Sequence, residues 1–381
     1  MTRRLWLHIG SHKTGTSSLQ VTLRANEALL LDRGLGVARS APWPHVHPHL
    51  AHVNPAQVMP EGFKIRDPVE FARFLASFDS DTVIASSENF AFIFQQAAID
   101  DLASALTKQF DEVRILAYLR RQDRHAVSHH QEGAKHDRMA ESALWGHGLH
   151  ALPDPSPLHR LYLDYDQRLG MWEKAFGSEN LVVRIFDRNL LKDGDIVADV
   201  LDVIGLSHEG LERIPDRNVS LGRLQAKVGH IANATLADDI MTRCLVEAMP
   251  VEDRMAPSRD QARAFLHPYL EGNRRLNDRL TISAAPALFN DDFSDYPEIG
   301  NDELDEAACV AALQGTIVAL GRRATTLQAL SADDLKLAAH ALQGSNPDAA
   351  LRLIRAAHSL RPHGPYIQKL LTRIEASVLK D

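Results

Sequence analysis

The feature that most constrains this chain is a short apolar run, Leu5 to Ile9, that ends at Gly10. It gives way at once to Ser11-His12-Lys13-Thr14-Gly15-Thr16-Ser17-Ser18 and then to a helical pattern. Leu19, Leu23, Leu29 and Leu30 fall near helical spacing from about Thr16 to Arg33, and Gly34 is a stop signal. A buried strand, a small-residue turn and a helix in this order place a helix N-terminus at the carboxyl end of a strand. The free N–H groups and the macrodipole at such an end favour an anion. Lys13 adds a point charge, Thr14, Thr16 and Ser17 add hydroxyls, and Gly15 lets the backbone approach closely.

The alternation continues down the chain. LGVAR at 35–39, TVIAS at 82–86, VRILAYL at 113–119 and LVVRI at 181–185 predict further strands. Helical patterns lie at 69–78 behind Pro68, at 97–109, from Asp123 past His136, and at about 164–176. The class expected is α/β, a parallel central sheet flanked by helices on both faces. Ligands in such folds bind at the carboxyl ends of the strands, which here means 10–17, 86–90 and 120–128. Past residue 220 the strand signals stop. Residues 291–306 hold eight acidic side chains and no Lys or Arg, and read as a solvated connector and helix start. Ala/Leu-rich patterns at about 303–330, 332–343, 346–360 and 365–379 predict an all-α C-terminal appendage. The stretch AALRLIRAAHSLRP resembles the second helix of a tetratricopeptide unit, with room for about one such repeat. The division expected is an α/β domain over 1–300 and a helical region over 301–381.

Charge and cysteine usage narrow the function classes. Lys and Arg number 42 against 50 Asp and Glu, a net charge of −8, which argues against a general nucleic-acid binder. The acidic window 291–306 accounts for that whole excess. Residues 1–24 hold Arg3, Arg4, Lys13 and Arg24 with no acid, and residues 114–138 hold six basic against three acidic groups. The basic segments are therefore the ones that carry the candidate anion site. Cys244 and Cys309 form no paired Cys or His spacing, so a disulfide scaffold and a zinc finger are not expected, and a reducing, cytoplasmic setting is. The N-terminal apolar run is too short for a secretory signal, and no apolar stretch is long enough for a membrane span. His45, His47, His49 and His52 lie among Pro42, Pro44, Pro48, Pro55 and Pro60 without metal-ligand spacing, so no metal is expected there.

Gly10 and Gly15 have the separation of a Walker A loop, but Thr16 stands where that pattern needs Lys. A kinase-like nucleotide-binding enzyme would also need a strand-borne Asp for Mg²⁺. The order Lys13-Thr14-Gly15-Thr16-Ser17 instead resembles the 5′-phosphosulfate loop of sulfotransferases that use 3′-phosphoadenosine 5′-phosphosulfate (PAPS). His12 before it and Leu19-Gln20 after it are similar to the bacterial branch of that family. The resemblance covers roughly residues 1–300. It implies a P-loop NTPase-like sulfotransferase fold, PAPS as co-substrate and no metal.

The resemblance further implies an arginine at the end of a later strand with a serine eight residues on. Arg120 and Ser128 supply that pair, with Arg121 as an alternative and Gln122 where the family often has proline. A guanidinium can hold a phosphate dianion bidentately, here the 3′-phosphate. Lys13, Thr14, Gly15, Thr16 and Ser17 would hold the phosphosulfate, and Lys13 would stabilise the leaving phosphate. Glu88, after TVIAS, is the candidate base, its other reading being a carboxylate at a helix start. His12 is the second candidate, with a loop-shaping role equally open. The acceptor implied is a hydroxyl or amine, by analogy on a carbohydrate or glycolipid. Asn218-Val219-Ser220 resembles a downstream family segment, and a helix N-cap at Ser220 explains it as well. His129 and His130 read as helix-surface residues. A non-catalytic protein that binds a partner through its C-terminal helices is the remaining alternative.

Overall fold

The computed structural model describes residues 2–40, 63–135, 146, 148–214, 220–236, 239–251, 253–329 and 331–378. The His45–His52 cluster and Asn218 lie outside the described residues. Two compact units divide the chain, Met1–Cys309 and Val310–Asp381.

In the first unit β1 (Arg4–His8), β2 (Leu35–Ala38), β3 (Thr82–Ser86), β4 (Glu112–Leu119) and β5 (Leu181–Ile185) form one sheet in the order β2-β3-β1-β4-β5. Every pairing is parallel, with Leu7 opposite Ala85 on one side and Ile115 on the other. The connecting helices are α1 (Thr16–Ala25), α2 (Glu27–Asp32), α3 (Pro68–Ala76), α4 (Gln96–Leu106), α5 (Gln122–His130), α6 (Pro157–Leu163), α7 (Tyr165–Phe176) and α8 (Ile196–Ile204). The strands are buried on both faces, as parallel strands in such folds are. Leu5, Leu7, Val83, Ala85, Ile115 and Ala117 face Leu75 of α3, Leu102 of α4 and Trp172 of α7. Trp6, Ile84, Leu116 and Tyr118 face Leu19 and Leu23 of α1 and Val197 and Leu201 of α8. The α/β architecture with helices on both faces is thus the one the strand pattern implies.

Two helices are shorter than their periodicity suggests. The pattern over 16–33 breaks at Asn26, whose amide donates to Thr22 O and to Glu212 O while its Oδ1 accepts from Glu212 N. The helix expected to run past His136 ends at His130 and continues only as a 3₁₀ turn over Gln131–Ala134.

After α8 the first unit adds α9 (Arg223–Thr235), α10 (Asp239–Ala248), α11 (Arg259–Leu266) and α12 (Leu270–Leu280). The acidic segment 291–306 is not a free connector. Phe293, Tyr296 and Asp302 are buried, and Asp302 accepts from Ala151 N at 2.8 Å. The helix α13 (Glu306–Ala329) follows. In the second unit α14 (Ala332–Leu342), α15 (Pro347–Leu360) and α16 (Pro365–Val378) pack around Ala339, Ala350, Ile354, Ala357, Ile367 and Leu370. Asn346 caps α15 by accepting from Ala349 N, with Pro347 at its first position.

Candidate functional site

The loop after β1 stays laced to the sheet. Ile9 N donates to Leu116 O, Tyr118 N to Gly10 O and Ser11 N to Tyr118 O, all within 3.0 Å. On the other side Ser87 N donates to His8 O. These bonds gather the ends of β1, β3 and β4 at one edge, so the three places expected from the strand pattern lie side by side.

Glycine is needed at two positions in this loop. Gly10 has φ +85°, and a Cβ there would lie 3.0 Å from the Glu88 backbone. Gly15 has φ +75°, and a Cβ there would lie 3.1 Å from Ile196 and Phe186. Lys13 also takes the left-handed conformation, at φ 59°. Gly15 is the N-cap of α1, with no side chain to cap the helix and no acidic residue in its first turn. The cap residue therefore supplies no side-chain acceptor to the first-turn N–H groups of α1.

Around this turn stand the other candidates. Lys13 Nζ pairs with Glu132 Oε2 at 2.8 Å, and Arg120 Nη1 reaches Lys13 O at 3.4 Å. Burial lowers the Arg120 guanidinium from its ordinary value. Burial pushes the Glu132 carboxyl up, but Lys13 and then Lys135 outweigh it and hold it below its ordinary value. Thr14 is fully buried and its hydroxyl donates to Ser11 O, so it shapes the turn and leaves only its backbone for a ligand. Thr16 is buried and Ser17 exposed. Ser128 lies half-buried on α5, in the helix that starts two residues after Arg120.

Glu88 opens a 3₁₀ turn at the end of β3 and accepts from the Gln20 amide at 2.8 Å. Gln20 also donates to Ser86 Oγ, which bonds His8 Nδ1 at 2.8 Å. Burial drives His8 down to about 4, with Glu88 pulling it back up. His12 bonds the Tyr162 hydroxyl through its backbone N–H and through Nδ1, and its ring stacks on His129.

Three readings of the sequence need correction. Arg121 is not a phosphate ligand: it is buried, forks onto Asp123, donates to Asn290 O and Asp292 O, and covers the Phe293 ring. His129 and His130 are not surface residues. His129 packs on His12 and His125, while His130 stacks on His230 at 4.1 Å. Burial first, then neighbouring titratable groups including His12 and Lys13, lowers His129 well below its ordinary value.

Sequence reasoning missed Glu132, one helical turn beyond Ser128, and Arg168 of α7. Arg168 is buried and donates to Ser11 Oγ at 2.7 Å. Its signal was its place between Tyr165, Leu169 and Trp172 on the apolar face of a helix. Among the described residues no group of three or more His, Cys, Asp or Glu side chains is placed to hold a metal ion. No helix among them is long and apolar enough to cross a membrane.

No family model matches the chain. It is similar to a protein of Archaeoglobus fulgidus described as uncharacterized, with 29% identity over 131 residues. The match covers 32% of this chain, which spans 31% of the length of that curated relative. Among solved structures, a sulfotransferase from Alicyclobacillus acidocaldarius is similar over 74% of this chain and 98% of its own, at 16% identity and a TM-score of 0.40.

Proposed function

We propose that the chain is a PAPS-dependent sulfotransferase. One observation carries the reading: Arg120 from the end of β4 lies against the backbone of Lys13 in a glycine-bounded turn that opens an uncapped helix. Two motifs 107 residues apart in sequence are thereby in contact, which supports a shared anion site. In this reading Lys13 and the N–H groups of Thr14, Gly15, Thr16 and Ser17 hold the 5′-phosphosulfate. The hydroxyls of Thr16 and Ser17 add donors, and Arg120 and Ser128 hold the 3′-phosphate.

The chemistry is one in-line displacement. An acceptor oxygen or nitrogen forms a bond to sulfur as the bond from sulfur to the phosphate oxygen breaks. The electron pair leaves with adenosine 3′,5′-bisphosphate, where Lys13 offsets the growing charge. Glu88 takes the acceptor proton, its carboxylate oriented by Gln20. His12, tied to Tyr162, shapes the loop. The acceptor class, a carbohydrate or glycolipid hydroxyl or amine, follows from the family resemblance.

A radiolabelled PAPS assay against glycans, lipids and small phenols tests the reading. It predicts label on one class, lost in Lys13→Ala. Transfer that survives Lys13→Ala would exclude this loop as the donor site.

A further inference from the structure

Arg168 lies behind the anion loop rather than in it. It projects from α7, is 3% exposed, and donates to Ser11 Oγ from Nη2. Its guanidinium covers the rings of Tyr162 and Tyr165 at 4.9 and 5.1 Å. Nε and Nη1 are buried without a hydrogen-bond acceptor, and no carboxylate among the described residues pairs with it. Buried cations in folded proteins are ordinarily paired, because an uncompensated one carries a large desolvation cost. Two aromatic faces offset part of that cost. By contrast Arg121, equally buried, has Asp123 and two carbonyl oxygens.

The groups that Arg168 touches carry no negative charge, although Glu88 acts on Tyr162 from farther off. Ser11 and the two tyrosines are neutral, and His125 beside it is kept neutral by burial first and by the Arg168 charge second. What Ser11 does begin is the turn that runs through Lys13 to the N-terminus of α1. The anion-binding face of that turn is thus backed by a fixed positive charge.

We propose that Arg168 is a buried positioning cation for the donor site, one whose counter-charge is the phosphosulfate bound across Ser11 rather than a carboxylate among the described residues. It does not touch the ligand. It acts by raising the positive potential of the loop in a region of low dielectric, where a fixed charge acts over a longer range than in water. The inference rests on the donor-site reading above.

The test is calorimetric titration of the full chain with adenosine 3′,5′-bisphosphate, in the wild type, Arg168→Lys, Arg168→Met and Ser11→Ala. A charge role predicts that Arg168→Met weakens binding by about tenfold or more, while Arg168→Lys, which keeps the charge, stays within about threefold. Ser11→Ala removes only the hydrogen bond and is expected within about threefold as well. If Arg168→Met does not fold, the lysine and alanine variants still decide. A loss of about tenfold in either overturns the proposal, because geometry rather than charge would then be what matters. Wild-type affinity in Arg168→Met overturns it too, and leaves the donor site standing. A wild type that does not bind the bisphosphate overturns the donor site itself and this inference with it.

Discussion

Lys13 Nζ lies 2.8 Å from Glu132 Oε2, and the other oxygen of the same carboxylate holds Lys135 Nζ at 3.0 Å. One carboxylate thus restrains the lysine assigned to the leaving phosphate while keeping a second partner in reserve. A phosphosulfate that draws Lys13 away leaves Glu132 still paired, so the exchange strands no buried charge. Glu132→Gln removes the competitor for Lys13. It is expected to bind adenosine 3′,5′-bisphosphate about threefold more tightly, as measured by calorimetry. Weaker binding would mean that Glu132 aims Lys13 at the ligand.

Glu88→Gln keeps the shape of the site and removes the proposed base. Nucleotide affinity is expected within about twofold of wild type, and transfer to fall by about 10²-fold or more. Single-turnover transfer from PAPS checks this. Retained turnover would move the proton to another group.

Arg121→Ala separates structure from binding. It leaves Asp123, fully buried, without its guanidinium. Breaking a buried pair from one side costs about 3–5 kcal/mol, so the urea midpoint should drop sharply. An unchanged midpoint would contradict the assignment of Arg121 to the scaffold.

The buried histidines make stability depend on pH. Burial pushes His8 down to about 4, and burial with Arg160 does the same to His159. The unfolded chain titrates near its ordinary value, about 6.5, and so binds more protons than the folded chain between the two values. The contribution of each neutral ring is full above about pH 6.5 and is lost as pH falls toward 4. At pH 5 the loss is on the order of 2 kcal/mol per ring. Denaturation at pH 7 and pH 5 measures it, and His8→Asn should flatten part of the slope. A stability unchanged over that range would contradict the burial of these rings.

Gly15→Ala tests the turn itself. The left-handed φ of +75° and the contacts with Ile196 and Phe186 both oppose a methyl group. A stability loss of about 1–2 kcal/mol is expected, together with weaker nucleotide binding. Full affinity in this variant would show that the turn does not need its glycine.

The sheet was legible because parallel strands buried on both faces are written as continuous apolar runs. TVIAS and LVVRI became β3 and β5 at the residues their patterns marked. The break at Asn26 was not legible, because its partner Glu212 is 186 residues away. Lys13 and Arg120 were visible as motifs of residue type and order. Glu132 and Arg168 were not, since each acts through a partner that only the folded chain supplies. Ser11 is 157 residues from Arg168. Local pattern likewise placed His129 and His130 on a helix but did not reveal which face His12 and His230 would cover.

The central claim is that the turn at Gly10–Ser17 and Arg120 together read a nucleotide phosphorylated at both ends of its ribose. Titration of wild type and Arg120→Ala with adenosine 3′,5′-bisphosphate and with ATP plus Mg²⁺ tests it most directly. The account predicts a wild-type preference for the bisphosphate of about tenfold or more, and its loss in a folded Arg120→Ala. Equal affinity of the wild type for both nucleotides, or a preference that survives the loss of Arg120, would contradict it.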